Sequence, residues 1–493
     1  MLYVNLTITS DIKVSIHLMG DIMRKTAFFF IAFFVLSFLP INTLYAASNG
    51  YPTMEINVNG QRIHLDTPAI VLNNRTMVPV RGVFEKMGAD VEWYTGTTKI
   101  VVTLGNTQVV LNMGKTSATV NGEIKYMDVP PVVINNRTLI PLRFISESIG
   151  MWVGWVQGVA LATITHPDYF NNLPSNRVLG YTTNDYLGDN SSYQSFTTNA
   201  SNISEIATFS YSIDNYGNLK KIGESQSDAV NYANSNNVKP LLLINNFNNG
   251  GFDIDLVHSV LSSSSRRAAL IQNILVALSR EKYSGVNIDF EHIYWYDRSN
   301  YSAFVRELNQ KLKPYGYLTT LSVPAKDTDY YANNNWNGAI DYKEIAKYAD
   351  YLMIMTYDEH WFGGDPGPVA SYPWVENVIK YAVTQMPSKK ILLGIGAYGY
   401  DWAYTGSRAI AVKNINSLAV DTGTVPQWDS IQMSKYFNYV KNGTQHQVWY
   451  EDTDGILPKL DLVSRYGLGG IGIWKLGYEN SDFWTLINSK FPN

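Results

Sequence analysis

The chain has 493 residues, of which 45% are hydrophobic and only 16% charged, and a formal net charge of −4. This is enough chain for two or three cores, without the basic footprint of a nucleic-acid binder. With no cysteine and only seven histidines, a disulfide scaffold, a thiol nucleophile and a Cys-ligated metal are excluded, and no cofactor is expected. The excess lies in 34 Tyr, 12 Trp and 19 Phe, side chains that suit stacking on neutral sugars while hydrogen bonding at one edge.

At the N-terminal end, Met23-Arg24-Lys25 precedes an apolar run over 27–39, followed by Pro40 and the small residues Ala46-Ala47-Ser48. A basic segment, a short apolar core and a small-residue exit make a secretory signal, because the run is shorter than the ~20 residues a membrane helix needs. We expect 1–47 to be a signal peptide, with translation starting at Met23. The mature protein is then exported, with no stable membrane span.

Residues 51–166 contain an internal duplication. Val58-Asn59-Gly60 recurs as Val120-Asn121-Gly122, and Asn73-Asn74-Arg75-Thr76 as Asn135-Asn136-Arg137-Thr138. Pro79, Arg81, Gly88 and Trp93 recur as Pro141, Arg143, Gly150 and Trp155, always 62 positions on (141 − 79 = 62). Each unit predicts strands around Asn-Gly and Asn-Asn turns, a short helix (83–87 and 145–149) and a closing strand. Two copies fall short of a solenoid and predict one small α+β domain. Arg75 and Arg137 read as residues that steady their turns by bonding nearby carbonyls, or as contacts to a polymer. The pattern resembles the copper amine oxidase N-terminal-like domain of bacterial exported proteins, which implies a wall- or surface-association role. Copper itself is not expected, since His64 and His166 have no partner in sequence.

After a linker at 167–176, short apolar runs alternate with helical patterns. Strands are predicted at 178–181, 206–210, 240–244, 286–291, 318–323, 351–357, 391–395 and 470–474, with helices such as 266–280, 301–312 and 454–466. Eight strands alternating with helices predict a (β/α)8 TIM barrel over 177–493, with a small α+β insertion subdomain at 403–450. In the fourth strand, Val286, Ile288 and Phe290 alternate with Asn287, Asp289 and Glu291. Three polar groups aimed into a barrel cost desolvation unless they are hydrogen-bonded or functional, and they lie near the strand end where barrels place catalytic groups.

Four segments occur in the order of glycoside hydrolase family 18 motifs. Gly285-Val286-Asn287-Ile288-Asp289-Phe290-Glu291 resembles the catalytic DGxDxDxE strand, and Met355-Thr356-Tyr357-Asp358 the M-x-Y-D strand. Ile395 to Trp402 resembles the seventh-strand exit of the cell-wall branch, and Gly469 to Trp474 the last strand with its tryptophan. The resemblance implies substrate-assisted, retaining hydrolysis with Glu291 as acid and base, Asp289 accepting the acetamide N–H and Tyr357 donating to the acetamide oxygen. Asn287, Asp358, Met355, Trp474, Tyr181 and Trp402 are the implied substrate-binding residues. Ser284 and Asn287 stand where the family pattern often has Asp; Asn287 is expected to hydrogen-bond Asp289 without raising its pKa as a third carboxylate would. Tyr294-Trp295-Tyr296 and Trp361-Phe362 are candidate sugar platforms.

The segment from Val448 to Leu468 resembles spore cortex-lytic N-acetylglucosaminidases, which implies peptidoglycan as substrate and an exported, wall- or spore-envelope-associated enzyme. A chitinase or endo-N-acetylglucosaminidase on chitin-type glycans, and a non-catalytic glycan-binding protein, are the alternatives.

Overall fold

The computed structural model describes residues 47–48, 50–94, 96–156, 158–330 and 333–492. The signal-peptide reading of 1–47 therefore falls, but for Ala47, outside the described residues. Among these residues no helix is long and apolar enough to cross a membrane.

The duplicated segment is built from hairpins whose turns need left-handed backbone. Asn59 and Gly60 have φ of 49° and 79°, Asn121 and Gly122 of 50° and 88°, and both Asn-Asn turns lie at 50–59°. Two consecutive positive φ values are the requirement of a tight hairpin turn, and Asn and Gly meet it at least cost. The helices begin earlier than predicted, at Val80–Phe84 with a 3-10 turn Glu85–Met87, and at Leu142–Ser148. Pro79 and Pro141 immediately precede them, and a proline there both ends the strand and enters the helix without leaving an amide unpaired. The two repeats meet where Arg75–Pro79 pairs antiparallel with Arg137–Pro141. Met77 faces Pro141, Val78 faces Ile140 and Pro79 faces Leu139. Since Ile140 is the repeat equivalent of Val78, an approximate two-fold axis passes between them.

The larger part is a closed parallel barrel with strands β1 (Arg177–Thr182), β2 (Glu205–Ile213), β3 (Lys239–Asn245), β4 (Gly285–Asp289), β5 (Leu318–Pro324), β6 (Tyr351–Met355), β7 (Ile391–Gly396) and β8 (Gly470–Trp474). Strand β1 pairs with β2 on one side and β8 on the other, which closes the ring. Alternate residues serve two layers: Val178, Leu242, Val286 and Ile288 pack under the helices, while Leu179, Leu241, Leu243 and Met353 fill the interior. This alternation turns Asn287 and Asp289 inward.

Between β7 and the last barrel helices lies a separate antiparallel sheet of Tyr398–Ala403, Arg408–Ala411, Gln427–Asp429, Ser434–Lys441 and Thr444–Tyr450, with the helix Val412–Asp421. Its first strand starts two residues after β7, earlier than position 403, because the Tyr398-to-Trp402 stretch stays extended but pairs with Thr444–Tyr450 instead of the barrel.

The duplicated domain packs against the barrel end from which strands β4 and β5 enter. The Arg62 guanidinium donates to the Ser279 carbonyl, and Thr165 Oγ1 to the Pro314 carbonyl at 3.4 Å. Gly60 and Gly316 touch backbone to backbone, so that a Cβ on Gly60 would stand 2.4 Å from the Gly316 oxygen.

A buried ion pair ties the inserted sheet to the barrel. Glu451, just past Thr444–Tyr450, accepts from Lys459 on the helix Thr453–Tyr466, and both side chains are 2% exposed. Removing one partner of such a pair strands a buried charge. Lys459→Met should therefore lower unfolding free energy by about 3–5 kcal/mol, and adding Glu451→Leu should recover most of it, as read by denaturant titration. Equal losses in the single and double variants would refute this account.

Candidate active site

Strand β4 ends at Asp289, two residues short of Glu291. The Asn246 side chain, just past β3, supplies what the ladder no longer does. Its Oδ1 accepts from the Glu291 amide at 3.0 Å and its Nδ2 donates to the Glu291 carbonyl at 2.9 Å. A second donation, to the Asp253 carbonyl at 3.0 Å, fixes the amide itself. Phe290 turns outward and stacks on Phe304 at 5.7 Å, so Glu291 keeps the inward phase of the strand. Asn246 carries no charge or ring, and nothing in the sequence marks it.

Beneath the carboxylates runs a chain of hydroxyl and amide groups. Tyr181 Oη donates to Ser322 Oγ (2.8 Å), and Ser322 to Asn287 Oδ1 (2.9 Å). Asn287 Nδ2 then donates to Thr320 Oγ1 (3.0 Å) and Thr320 to the Val286 carbonyl (2.9 Å). The expected bond from Asn287 to Asp289 is replaced by these two to β5, because Ser322 and Thr320 lie on the neighbouring strand at the right height. Ser284 is buried at the entrance of β4, beside Gly60 of the duplicated domain and away from the carboxylates.

At the strand ends a cavity of about 280 Å³ brings together Tyr181, Asp289, Glu291, Met355, Tyr357, Asp358 and Trp474. It also includes Phe209, Phe247, Phe252, Ser322, Trp336 and Met353, which the sequence reading did not single out. Phe247 and Phe252 face each other edge-on at 5.5 Å across the Asn248-Asn249-Gly250-Gly251 turn, and that aromatic-flanked turn was a legible signal. Asn287 lies below the cavity, and Trp402 lies outside its lining. Trp402 is 5% exposed and donates from Nε1 to the Trp361 carbonyl at 3.2 Å, steadying the loop that carries the exposed Trp361 and Phe362. Trp295 and Tyr296 are also exposed, and Tyr296 stacks on Tyr294 at 4.9 Å. Trp474 presents its ring edge-on to Tyr181 at 5.6 Å and to Phe209 at 6.3 Å.

Burial dominates the electrostatics. It pushes the Asp289 carboxyl up to about 7. Glu291 is held well above the usual carboxylate range by burial, reinforced by repulsion from Asp289 and Asp358. Asp358, whose backbone is left-handed at φ 60°, is also raised by burial, against hydrogen bonds from Tyr398 (2.5 Å) and Tyr400 (2.7 Å). Burial keeps the Tyr357 phenol protonated, hence a donor. The cavity thus sets two carboxyls that burial holds above their usual range beside a phenol donor and an indole wall.

Residues 177–479 match the family described as glycosyl hydrolases family 18, and residues 57–163 match the copper amine oxidase N-terminal domain. Among the described residues no group of three or more His, Cys, Asp or Glu could hold a metal ion. The chain is 33% identical over 315 residues to the uncharacterized glycosylase YvbX of Bacillus subtilis, covering 63% of this chain and 90% of that protein. It is 33% identical over 294 residues to the cortical fragment-lytic enzyme of Bacillus anthracis (58% and 67% covered). A chitinase structure from Chromobacterium violaceum superposes with a TM-score of 0.61 at 32% identity, covering 65% of this chain and 100% of that one. The spore cortex-lytic enzyme SleL of Bacillus cereus does so with 0.61 at 28% identity (68% and 78% covered).

The raised carboxyls make stability pH-dependent. A folded-state pKa above the unfolded value favours folding fully at low pH, and that contribution is lost as pH rises through the folded value. For Asp289 the window runs from the ordinary carboxylate range to about 7. Asp289→Asn should therefore gain roughly 2–4 kcal/mol over the parent at pH 8 and little at pH 4, measured by urea unfolding. An equal gain at both pH values would mean that Asp289 titrates normally.

Proposed function

The chain belongs to glycosyl hydrolases family 18 and is a glycoside hydrolase; we propose that it cleaves the β-1,4 bond after N-acetylglucosamine in cell-wall or spore-cortex peptidoglycan, with retention of configuration and assistance from the substrate's own acetamide. The observation that carries the reading is the Asp289–Glu291 pair, buried and raised beside Tyr357 and Trp474 in one cavity.

In this mechanism the 2-acetamido oxygen of the sugar at the cleavage site attacks its own C1, and the protein supplies no nucleophile. Glu291, its carboxyl raised by burial and by repulsion from Asp289 and Asp358, gives its proton to the departing glycosidic oxygen and afterwards takes one from the incoming water. Asp289 ionises first of the pair, so it accepts the acetamide N–H and faces the positive charge that grows on the oxazolinium ring. Tyr357 donates to the acetamide oxygen and sets its angle of approach. Trp474 lies under the sugar ring, and Asp358, held by Tyr398 and Tyr400, steadies its distorted form. The exposed Trp295, Tyr296, Trp361 and Phe362 offer ring faces to further sugars.

The cortex-lytic relatives favour peptidoglycan as the polymer, and export to the wall or spore envelope follows from that substrate. The chitinase structure, covered in full by this chain, favours chitin as the second reading.

Products from spore-cortex peptidoglycan and chitin oligomers, compared by mass spectrometry, decide between these. Muropeptides ending in reducing N-acetylglucosamine are the expected outcome, and products from chitin alone would move the enzyme to the second reading. Glu291→Gln should abolish turnover on either polymer while retaining binding; full activity in that variant would remove Glu291 from its role. Tyr357→Phe should lower kcat by about 10²–10³-fold, the usual effect of losing one preorganised donor. An unchanged kcat would remove the acetamide-positioning step.

A further inference from the structure

The duplicated domain contains two clefts that are copies of one another. One, of about 530 Å³, is lined by Arg75, Asp128, Arg143, Glu147 and Trp155 among others; the second, of about 770 Å³, by Arg137, Asp66, Arg81, Glu85 and Trp93. Each residue of the first set is the repeat equivalent of its counterpart in the second, 62 positions apart. Both clefts straddle the junction between the repeats. Arg75 of the first repeat pairs with Asp128 of the second at 2.6 Å, and Arg137 of the second with Asp66 of the first at 2.8 Å. Both volumes exceed that of the catalytic cavity.

Packing does not require this likeness. Between the repeats the core has drifted, with Met77 against Leu139, Val83 against Ile145 and Phe84 against Ser146, while the five charged and indole positions that the clefts share are identical; Lys86, opposite Ser148 in the repeat, lines the second cleft alone. The ion pairs contribute little stability: side-chain exposure is 47% and 68% for Arg75–Asp128, and 61% and 59% for Arg143–Glu147. They are therefore cheap to open towards a ligand. Arg143, an exposed side chain, stands over the Trp155 ring at 4.4 Å; swung off the indole it leaves an aromatic face next to a guanidinium, a combination that takes an apolar ring face bearing an anionic group.

We propose that the duplicated domain is a bivalent binding module whose two equivalent clefts hold carboxylate-bearing peptidoglycan strands, sugar faces on Trp93 and Trp155 and acidic side groups at the arginines. The identity of the polymer rests on the function proposed above; the existence of the clefts does not. Because the domain packs on the barrel end opposite the catalytic cavity, the module retains the enzyme on the wall without competing for the bond being cut.

The test uses full-length protein carrying Glu291→Gln, pelleted with insoluble cortex peptidoglycan stripped of teichoic acid and with intact walls. Arg81→Glu and Arg143→Glu lie on exposed side chains; each alone should weaken retention by about 100-fold, as loss of one arm of a bivalent attachment does, and the pair should weaken it further. Trp93→Leu with Trp155→Leu, which keeps an apolar body in each cleft, should reproduce the loss. In the Glu291 background the same variants should hydrolyse a soluble oligosaccharide at the parental rate. Parental retention by the double variants would overturn the proposal, and so would a double variant no weaker than one single variant, which would leave one working cleft. Retention on intact walls but not on stripped peptidoglycan would overturn the choice of polymer, as would a dimer that Arg81→Glu/Arg143→Glu converts to monomer. Cleft-dependent retention by a protein whose parent hydrolyses neither polymer would support the clefts and overturn the catalytic reading instead.

Discussion

The structure turns on the cost of keeping carboxyl groups dry. Asp289 and Glu291 stand at the mouth of an apolar barrel, and burial and other carboxylates are the influences acting on them. A buried carboxylate without a partner cation costs so much that the group keeps its proton instead. In the mechanism proposed above that displacement is the chemical asset, since a general acid must hold its proton at working pH. The surrounding architecture holds the pair in this condition: the barrel excludes water, the Asn246 amide clamps Glu291 beyond the end of its strand, and the hydroxyl chain from Tyr181 to Thr320 fills the space beneath.

The other end of the barrel handles charge differently. There Arg177 faces Glu205 at 3.6 Å, both nearly inaccessible, and Arg177 also lies over the Tyr351 ring at 4.8 Å. Asp350 accepts from the Thr319 amide at 2.7 Å and feels Lys390, Lys313 and Arg177. Opposite charges meet at the bottom; at the top Lys475 pairs with Asp185 and Lys326 with Asp329 around the cavity, while Asp289, Glu291 and Asp358 face one another within it. Compensated pairs steady the end that receives the strands and carries the duplicated domain, and they also ring the exit end; among the described residues, the carboxyls lining the cavity go without a cation.

The parts of this arrangement legible in the sequence were those with a period. The eight strands are read from apolar runs spaced by helices, and the inward phase of Asn287, Asp289 and Glu291 from alternation along β4. What lacked a period stayed hidden. Asn246 acts through both ends of one amide on a residue 45 positions away, and no local pattern announces such a clamp. Trp402 has the look of a sugar platform in sequence, yet its ring is buried by the inserted sheet, a tertiary fact. An Asn287–Asp289 bond is what the family pattern suggests, whereas the neighbouring strand brings better-placed hydroxyls in Thr320 and Ser322.

The duplicated domain shows the same division from another side. Its repeat was visible as an offset, but an offset does not say whether the copies stand apart or share an interface. The antiparallel pairing centred on Val78 and Ile140 answers this: each copy lends its arginine to the other's aspartate. Neither cleft is then the property of one repeat. A single copy would expose its central strand as an unpaired edge and hold half of each cleft, so the same ladder that removes the edge completes both clefts. Duplication within one chain thus does what a two-fold dimer does between chains, with partner and register fixed covalently and two equivalent surfaces as the geometric consequence.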